Sequence, residues 1–578
     1  QFQQQGSSFS SLAKTIMSIV DWVRERWSAP PPPAAPTMEG WWIVYFGIIL
    51  VSVAMQLLTT FGLVTWVTKA CKRRQKLRAA THTSEPVAAL VPCFLPNEKD
   101  IIFDTLQHLL TRMEGVDELD VYLVYNTPKD MPELEERLRC MAEDKHPPGR
   151  RLFVTRVPNS KSKAENLNYV IPHLPHTAVA IYDADHHPDP NSLAMAVNYM
   201  MDGDWDCVQG STYIRAGGAI LKFLVHAEFF VSYFVLLPIA EAVAGTGFFA
   251  GSNGIWRGDS IRQIRFSESM QTEDVESSVR AILHHRFKFS FIPECQSGEL
   301  APAGMAALWK QRLRWAMGWD QVTLFHAPGF KLAPLRLCCG LYYLFVMRWL
   351  SNFCVVVVLV FNSAAGLVGT YRAAHGLGPL APPTVVALQT FSFGLYLTFV
   401  CCTWGFALVY GRSARLLSGL AVYFVLCPIY IVFCAFQLVV SLTRVLAGST
   451  TAWVVTARSA PAQPLLASQN TEEGRGTLTP PEVGRDATCL LVMAGAINGA
   501  AWGALLGAIL GRRTVHHALF GWVPFGIGAT TEIVVDGRDV AIGLVLGVVV
   551  GALLVCTVAT CRRPKKERVM SPPAALGG

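Results

Sequence analysis

The sequence is short of charge. Only 16% of its 578 residues are Asp, Glu, Lys or Arg, where a soluble domain carries about 25%. Hydrophobic residues reach 52% and the mean hydropathy is +0.34, which excludes a wholly soluble, fibrous or disordered chain. Net charge is small as well: 49 basic against 42 acidic side chains give +7, too little for a general nucleic-acid binder. No Cys-x-x-Cys pair occurs among the fifteen cysteines, so the common zinc and thiol-redox signatures are missing. Cys401 and Cys402 lie in an apolar run and read as packing residues. Cys93, Cys140, Cys207 and Cys295 read as free thiols of a reducing compartment. No Asn-x-Ser/Thr sequon marks a glycosylated surface.

What the chain does have is long apolar runs, and these divide it. Residues 1–40 form a leader that is polar, then amphipathic, then proline-rich from Ala29 to Pro36. Within it, Phe9–Trp27 fits either a membrane-surface helix or a disordered segment. No small-residue cleavage site follows the first long apolar run, so no secretory signal is expected. Residues 41–69 are expected to be a transmembrane helix: Trp41–Thr68 carries no charge and is long enough for a bilayer core of about 30 Å. Lys72, Arg73, Arg74, Lys76 and Arg78 follow, which places that end in the cytoplasm.

Charges return over 85–330. Pro86–Phe94, Val121–Tyr125, Leu152–Val157, Ala178–Asp183 and Phe289–Ile292 are strand-like. Asp100–Glu114 and Pro132–Asp144 have helical spacing. The alternation predicts an α/β domain with a mostly parallel sheet and flanking helices, on the cytosolic side. A transmembrane region follows over 336–447, with apolar runs near 336–361, 384–410 and 415–446. Residues 448–487 form a polar segment and linker, 488–560 hold two more apolar runs, and 561–578 make a basic cytosolic tail. Three plain spans over 336–447 leave the linker outside, whereas counting back from the tail puts 459–487 inside. One of the three runs is therefore expected to be interfacial, re-entrant or a tight pair, and Pro428 singles out 415–446.

Three constellations carry chemistry. Tyr182-Asp183-Ala184-Asp185 follows the apolar run AVAI, where open α/β sheets bind ligands. Asp183 and Asp185 there are either a solvated turn or ligands for Mg²⁺ or Mn²⁺, which favour oxygen donors. Thr272-Glu273-Asp274 opens a helical run. Thr272 suits an N-cap and the acids suit a helix N-terminus, or Asp274 is a general base that deprotonates a hydroxyl. Gln311-Arg312-Leu313-Arg314-Trp315 is either a membrane-surface helix or a binding element. In the second reading Trp315 stacks on a sugar ring, while Gln311 and Arg314 reach a diphosphate or hydroxyls.

Together, in this order and beside apolar runs, the three resemble the membrane-embedded family 2 glycosyltransferases: the cellulose, chitin, hyaluronan and curdlan synthases and their relatives. The resemblance covers about residues 85–330 and the adjoining runs, and it implies a GT-A-like domain joined to a helical membrane bundle. It also implies roles for further residues. Val91–Glu98 resembles the opening strand and nucleotide turn, with Pro92, Asn97 and Glu98 at the donor. Lys161–Asn168 resembles the donor segment, with Lys163 and Asn166 near the diphosphate, which Gln311, Arg314 and Trp315 also face. Val208–Arg215 and Phe249–Arg257 resemble the acceptor segments, with Gln209, Gly251, Ser252 and Asn253 beside Glu273, Asp274 and Trp315. Thr451–Arg458 is similar to a gating loop (Trp453, Val455, Thr456 and Arg458), or it is an ordinary turn after a helix. One departure stands out. The family's second strand commonly ends in an acidic turn for the uridine, and here the chain reads Tyr125-Asn126-Thr127-Pro128. Asn126 can hydrogen-bond a uracil edge, and Asp130 can substitute for the missing charge.

The activity implied is an inverting, metal-dependent β-glycosyl transfer from a UDP-sugar, with UDP-glucose ahead of UDP-N-acetylglucosamine. A growing glycan is the expected acceptor, extended processively and exported through the protein's own channel. The alternatives are a non-processive transferase making a glycolipid or short saccharide, and an inactive scaffold. A transporter is disfavoured because intramembrane acids are scarce and no inverted repeat is visible. The expected location is a multi-pass protein of the plasma membrane, in contact with lipids. Gly495, Gly499, Gly503, Gly507 and Gly511 recur at every fourth position, as do Gly543, Gly547 and Gly551, which suits a tight hairpin or a homo-oligomer contact.

Overall fold

The computed structural model describes residues 40–448 apart from 78–80, 217–218, 376–379 and 412. The leader, the gating-loop residues Trp453, Val455, Thr456 and Arg458, the glycine-rich runs and the basic tail lie outside the described residues. Described residues 44–364 and 406–448 make one compact unit, and 40–43 and 365–405 belong to a second.

The first unit is built on an eight-stranded sheet of order β3-β2-β1-β4-β7-β6-β8-β5. The strands are β1 (Val87–Phe94), β2 (Leu119–Asn126), β3 (Arg150–Arg156), β4 (Ala178–Ile181), β5 (His187–Pro188), β6 (Cys207–Ala216), β7 (Gly254–Arg257) and β8 (Phe289–Leu300). Strand β1 shows why the sheet forms. Val87, Ala89, Val91 and Cys93 enter one core with Leu106, Leu109, Leu193 and Val197, while Ala88 and Leu90 enter another with Leu167, Ile171, Ile261 and Phe266. A period of two sends alternate side chains to opposite faces, and both faces are covered by helices.

The sheet is mixed. Strands β3, β2, β1 and β4 run parallel, as expected. Strand β7 enters antiparallel to both β4 and β6, β8 runs parallel to β6, and β5 pairs antiparallel with β8. Strand β8 also continues to Leu300, well past the expected Ile292. Its register jumps from Gly210–Ile292 to Ser211–Gln296, so Pro293, Glu294 and Cys295 bulge out. Proline has no N–H to give the ladder, and Ser211 Oγ caps its carbonyl at 2.7 Å instead.

Helix α1 (Gly40–Leu77) contains the first apolar run. Its Arg73 is buried and paired with Glu294 at 3.3 Å, tying the basic end of α1 to the β8 bulge. The helices used below are α2 (Leu95–Glu98), α3 (Ile102–Arg112), α4 (Pro132–Glu143), α5 (Lys163–Val170), α6 (Ser192–Asp202), α7 (Ala219–Val231), α8 (Leu237–Ala244), α9 (Gly258–Gln263), α10 (Glu273–Arg280) and α11 (Met305–Phe330). After them come α12 (Leu335–Leu341), α13 (Met347–Ala374), α14 (Pro383–Phe406) and α15 (Ala414–Leu446).

Among the described residues five stretches are long and apolar enough to cross a membrane: Trp42–Thr68, Leu221–Ala244, Leu335–Gly369, Pro383–Phe406 and Arg415–Leu446. The last three are separate helices, and α15 runs unbroken through Pro428. Leu221–Ala244 had no counterpart in the sequence analysis, and it is the most buried of the five. It begins beside the end of β6, where Lys222 Nζ donates to Arg215 O at 2.9 Å. It ends beside the start of β8, where Phe291 N donates to Glu241 Oε2 at 2.7 Å. Both ends are fastened to one sheet, so this helix lies along the strands.

Candidate active site

The site forms where β1, β2 and β4 end. Tyr182 N still bonds Leu90 O at 2.9 Å, and the chain then leaves the sheet. A turn closed by His186 N to Asp183 O at 2.9 Å presents Asp183 and Asp185. Asp183 N donates to Ser252 Oγ at 2.9 Å, and Leu300 N donates to Asp185 Oδ2 at 3.2 Å. His186 locks the turn to β8 through Ser297 at 3.0 Å and Glu299 at 3.1 Å. Arg215 holds the Asp185 carbonyl at 3.3 Å. His187 stacks on His108 with ring centroids 4.4 Å apart. Burial, then Arg215, push its imidazole down to about 2, so it is neutral at ordinary pH.

Lys163 opens α5, where Ser162 caps the helix by accepting from Glu165 N at 3.1 Å. Its ammonium donates to Asp183 Oδ1 and, at 2.6 Å, to Gly251 O. Burial works against that charge, but Asp183, Glu273 and Asp274 outweigh it and the pKa is raised. On the other side of Gly251 lies Asp274. Gly251 has φ +91°, and a Cβ there would stand 2.5 Å from Asp274 Oδ2, so only glycine fits. Asp274 accepts from Val275 N at 2.8 Å in the first turn of α10. Thr272 occupies the N-cap position without a side-chain cap bond. Burial, then Glu273, push the Asp274 carboxyl up to about 7, opposed by Lys163 and Arg314. A carboxylate poised there suits proton abstraction near neutral pH.

Helix α11 closes the site. Arg314 Nη1 donates to Gln271 O at 3.3 Å, and Gly318 leaves room for the Thr272 side chain. Gln311 is buried and accepts from Arg312 Nη1 at 2.8 Å. Trp315 lies beneath the Arg312 guanidinium, 4.2 Å from its ring centroid. The three motifs, separated in sequence, thus meet through Asp183, Lys163, Gly251, Asp274 and Arg314.

The amides serve the walls. Asn126 Nδ2 donates to Ser160 O at 3.0 Å and its Oδ1 accepts from Asn166 at 2.9 Å. Asn166 also accepts from Ser160 Oγ at 2.7 Å. Gln209 donates to Ser252 O at 2.8 Å and accepts from Ala250 N at 2.8 Å. Asn253, at φ 53°, donates to Ser211 O and Cys295 O at 2.8 and 2.9 Å. Asp130 pairs with Arg156 at 2.7 Å on the surface. Pro92 is buried in β1, Asn97 is exposed, and Glu98 accepts from Phe94 N at 2.8 Å. Burial, together with Asp185 and Asp183, pushes the Glu98 carboxyl up to about 8 against that bond.

This crowd of acids fits a divalent cation. Among the described residues no set of three His, Cys, Asp or Glu forms a closed cage. Asp183 and Asp185 instead suit an ion held by one or two carboxylates and completed by substrate phosphates. Residues that sequence reasoning did not single out also belong here: His186, Arg215, Glu299 and Tyr233, which packs beside Phe229 and Trp315. Only the histidines and Arg215, adjoining or ending quoted motifs, gave any signal in the sequence.

Comparison with known proteins gives a family-model match and several similar glycosyltransferases. Residues 178–439 match the family model described as Glycosyl transferase family group 2. A probable glycosyltransferase of Bacillus subtilis, YdaM, is 24% identical over 393 residues, covering 64% of this chain and 86% of that protein. The poly-beta-1,6-N-acetyl-D-glucosamine synthase of Staphylococcus aureus is 26% identical over 284 residues, and the match spans 48% of this chain and 64% of that synthase. A mannosyltransferase from Pyrobaculum calidifontis, solved with GDP-Man and Mn²⁺, shares 18% identity over 66% of this chain and 98% of its own, with a TM-score of 0.38. On the match over residues 178–439 and these glycosyltransferase relatives, the protein is a glycosyltransferase enzyme, with its α/β domain beside apolar helices long enough to cross a membrane.

Proposed function

We propose that this protein is a membrane-embedded, inverting β-glycosyltransferase that extends a glycan from a UDP-sugar and passes the product toward its own membrane helices. The observation that carries the reading is the run of contacts from Asp183 through Lys163 and Gly251 to Asp274, with Arg314 alongside. A Mg²⁺ or Mn²⁺ on Asp183 and Asp185 supplies positive charge for the donor diphosphate. Lys163 and Arg314 add fixed charge beside it, which favours departure of the nucleotide. Asp274 takes the proton of the acceptor hydroxyl, which attacks the anomeric carbon from the face opposite the nucleotide. Trp315 offers a ring face for the acceptor sugar, and Gln209, Gly251, Ser252, Asn253 and Glu273 shape that side. Asn126 and Asn166, bonded to each other, form the wall of the nucleotide end. The catalytic domain is cytosolic and the protein multi-pass in the plasma membrane. The name of the Staphylococcus relative puts UDP-N-acetylglucosamine ahead of UDP-glucose as the donor to try first.

The test is label transfer by the purified full chain in detergent, with Mg²⁺ or Mn²⁺ and a panel of UDP-N-acetylglucosamine, UDP-glucose and GDP-mannose, products being sized on gels. The expected result is a large polymer from one UDP-sugar that inverts the anomeric configuration. Short or lipid-linked product overturns the elongation half of the reading. No transfer from any donor overturns it entirely.

A further inference from the structure

Helix α7 is mainly apolar, yet Glu228, its one acid, has a side chain only 15% exposed. A buried carboxylate is costly unless its oxygens are fully engaged. Here they are. Arg312 Nε donates to Oε1 at 3.1 Å and Arg312 Nη2 to Oε2 at 2.9 Å, a two-point pair. The Tyr430 hydroxyl of α15 donates to Oε1 at 2.6 Å. Arg312 has one terminal nitrogen left, and it donates to Gln311 Oε1 at 2.8 Å. The guanidinium plane lies 4.2 Å from the Trp315 centroid and 5.4 Å from that of Phe229. Glu228 thus fixes Arg312, and Arg312 contacts both Gln311 and Trp315. It engages the carbonyl end of Gln311 and braces the Trp315 ring.

We infer that Glu228 is a positioning residue for sugar transfer: through Arg312 it sets the orientation of Gln311 and Trp315, and through Tyr430 it ties that orientation to membrane helix α15. This rests on the proposed function, because that reading assigns Trp315 to the acceptor sugar. A guanidinium held at two points cannot rotate without breaking both bonds, so any shift of α15 that moves Tyr430 is felt at Trp315. The donor-side charges Asp183, Asp185 and Lys163 are not in this network. It therefore acts on turnover and leaves nucleotide binding alone.

The experiment compares wild type with Glu228→Gln, Glu228→Asp and Tyr430→Phe, each as the full chain in detergent. The readouts are kcat and KM for UDP-N-acetylglucosamine or whichever donor the wild type uses, and the Kd of UDP with Mn²⁺. Glu228→Gln should lower kcat by about tenfold or more, as misplacing groups that face the reacting sugar does, with Kd for UDP within about twofold. Glu228→Asp keeps the charge and should recover part of that loss, and Tyr430→Phe should lower kcat by about threefold. A folded Glu228→Gln variant with wild-type kcat overturns the inference. So does a fall in kcat that follows thermal stability and that Asp does not rescue, because that is a merely structural pair. If Glu228→Gln does not fold, Tyr430→Phe decides, and wild-type kcat there overturns it. A wild type inactive with every donor removes the proposed function and this inference together, whereas an active wild type with indifferent variants removes only the inference.

Discussion

The two halves of the sheet use polar residues differently. In the half formed by β3, β2, β1 and β4, charged groups gather past the strand ends: Glu98, Lys163, Asp183 and Asp185. Lys163 pairs with Asp183, and burial with Asp185 and Asp183 raises the Glu98 carboxyl, which is what a site that handles charge requires. In the half formed by β7, β6, β8 and β5, Arg215 and Glu299 brace the turn that carries Asp183 and Asp185, and the polar residues beside them are amides and hydroxyls. Gln209, Ser211 and Asn253 are at most 1% exposed and bonded to backbone. One half holds chemistry and the other holds shape. Asp274 and Gly251 stand at the join, where the shape of one half delivers an acid to the charges of the other.

The comparison is broken most severely at Asp274. Asp274→Asn should lower transfer by about a thousandfold, the range for loss of a general base, with UDP binding retained. The same change should stabilise the protein at high pH. The folded carboxyl titrates near 7 and the free one at 3.8. The cost of ionising it in the fold is therefore absent below the lower value, grows between the two, and is complete above about pH 7. The Asn variant should melt on the order of 5 °C higher than wild type at pH 8 in EDTA, and no higher at pH 4. Equal melting at both pH values would mean that Asp274 is not buried against its charge. For wild type the same titration makes kcat/KM fall about tenfold per unit below pH 7, since only the ionised form accepts a proton.

Gln209 should show the opposite signature. Removing its amide strands Ala250 N–H and withdraws a donor from Ser252 O. Buried groups left without partners cost about 1–3 kcal/mol each. Gln209→Ala should therefore lower the melting temperature, and kcat by about tenfold as loop 250–253 loosens. A variant as stable as wild type but inactive would instead make Gln209 a direct substrate contact.

Much of this was legible beforehand because charge and periodicity are local signals. Strands β1 to β4 stand out as short apolar runs, and Asp183, Asp185 and Asp274 follow or open recognisable elements. Other features depend on partners distant in the chain. Strand β7 has four residues and β5 has two, too few for any period to show. Pro293 interrupts β8, and only Ser211 across the bulge explains why the strand resumes. Helix α7 was missed because an apolar helix inside a soluble domain has no pattern to separate it from a core strand. A lone acid in that apolar run, Glu228, was the available sign, and its partner lies 84 positions away.

The smallest effect is expected at the opposite end of β2. Asp120 sits near its start, about 20 Å along the strand from Asn126, and is paired with Arg151 at 2.6 Å and His176 at 2.8 Å. The carboxylate is buried but the Arg151 side chain is 65% exposed, so solvent screens most of the attraction. Such pairs contribute about 0–1 kcal/mol. Arg151→Ala should leave kcat and KM within about twofold of wild type, because exposed charges more than a Debye length of about 10 Å apart are largely screened. His176 keeps Asp120 bonded after the change, which limits the loss of stability. The contrast with Lys163 decides the point: both cations pair with a carboxylate on the same half of the sheet, and only one lies past the strand ends. A large loss of kcat in Arg151→Ala would show that position along the strand does not separate the residues of chemistry from those of the frame.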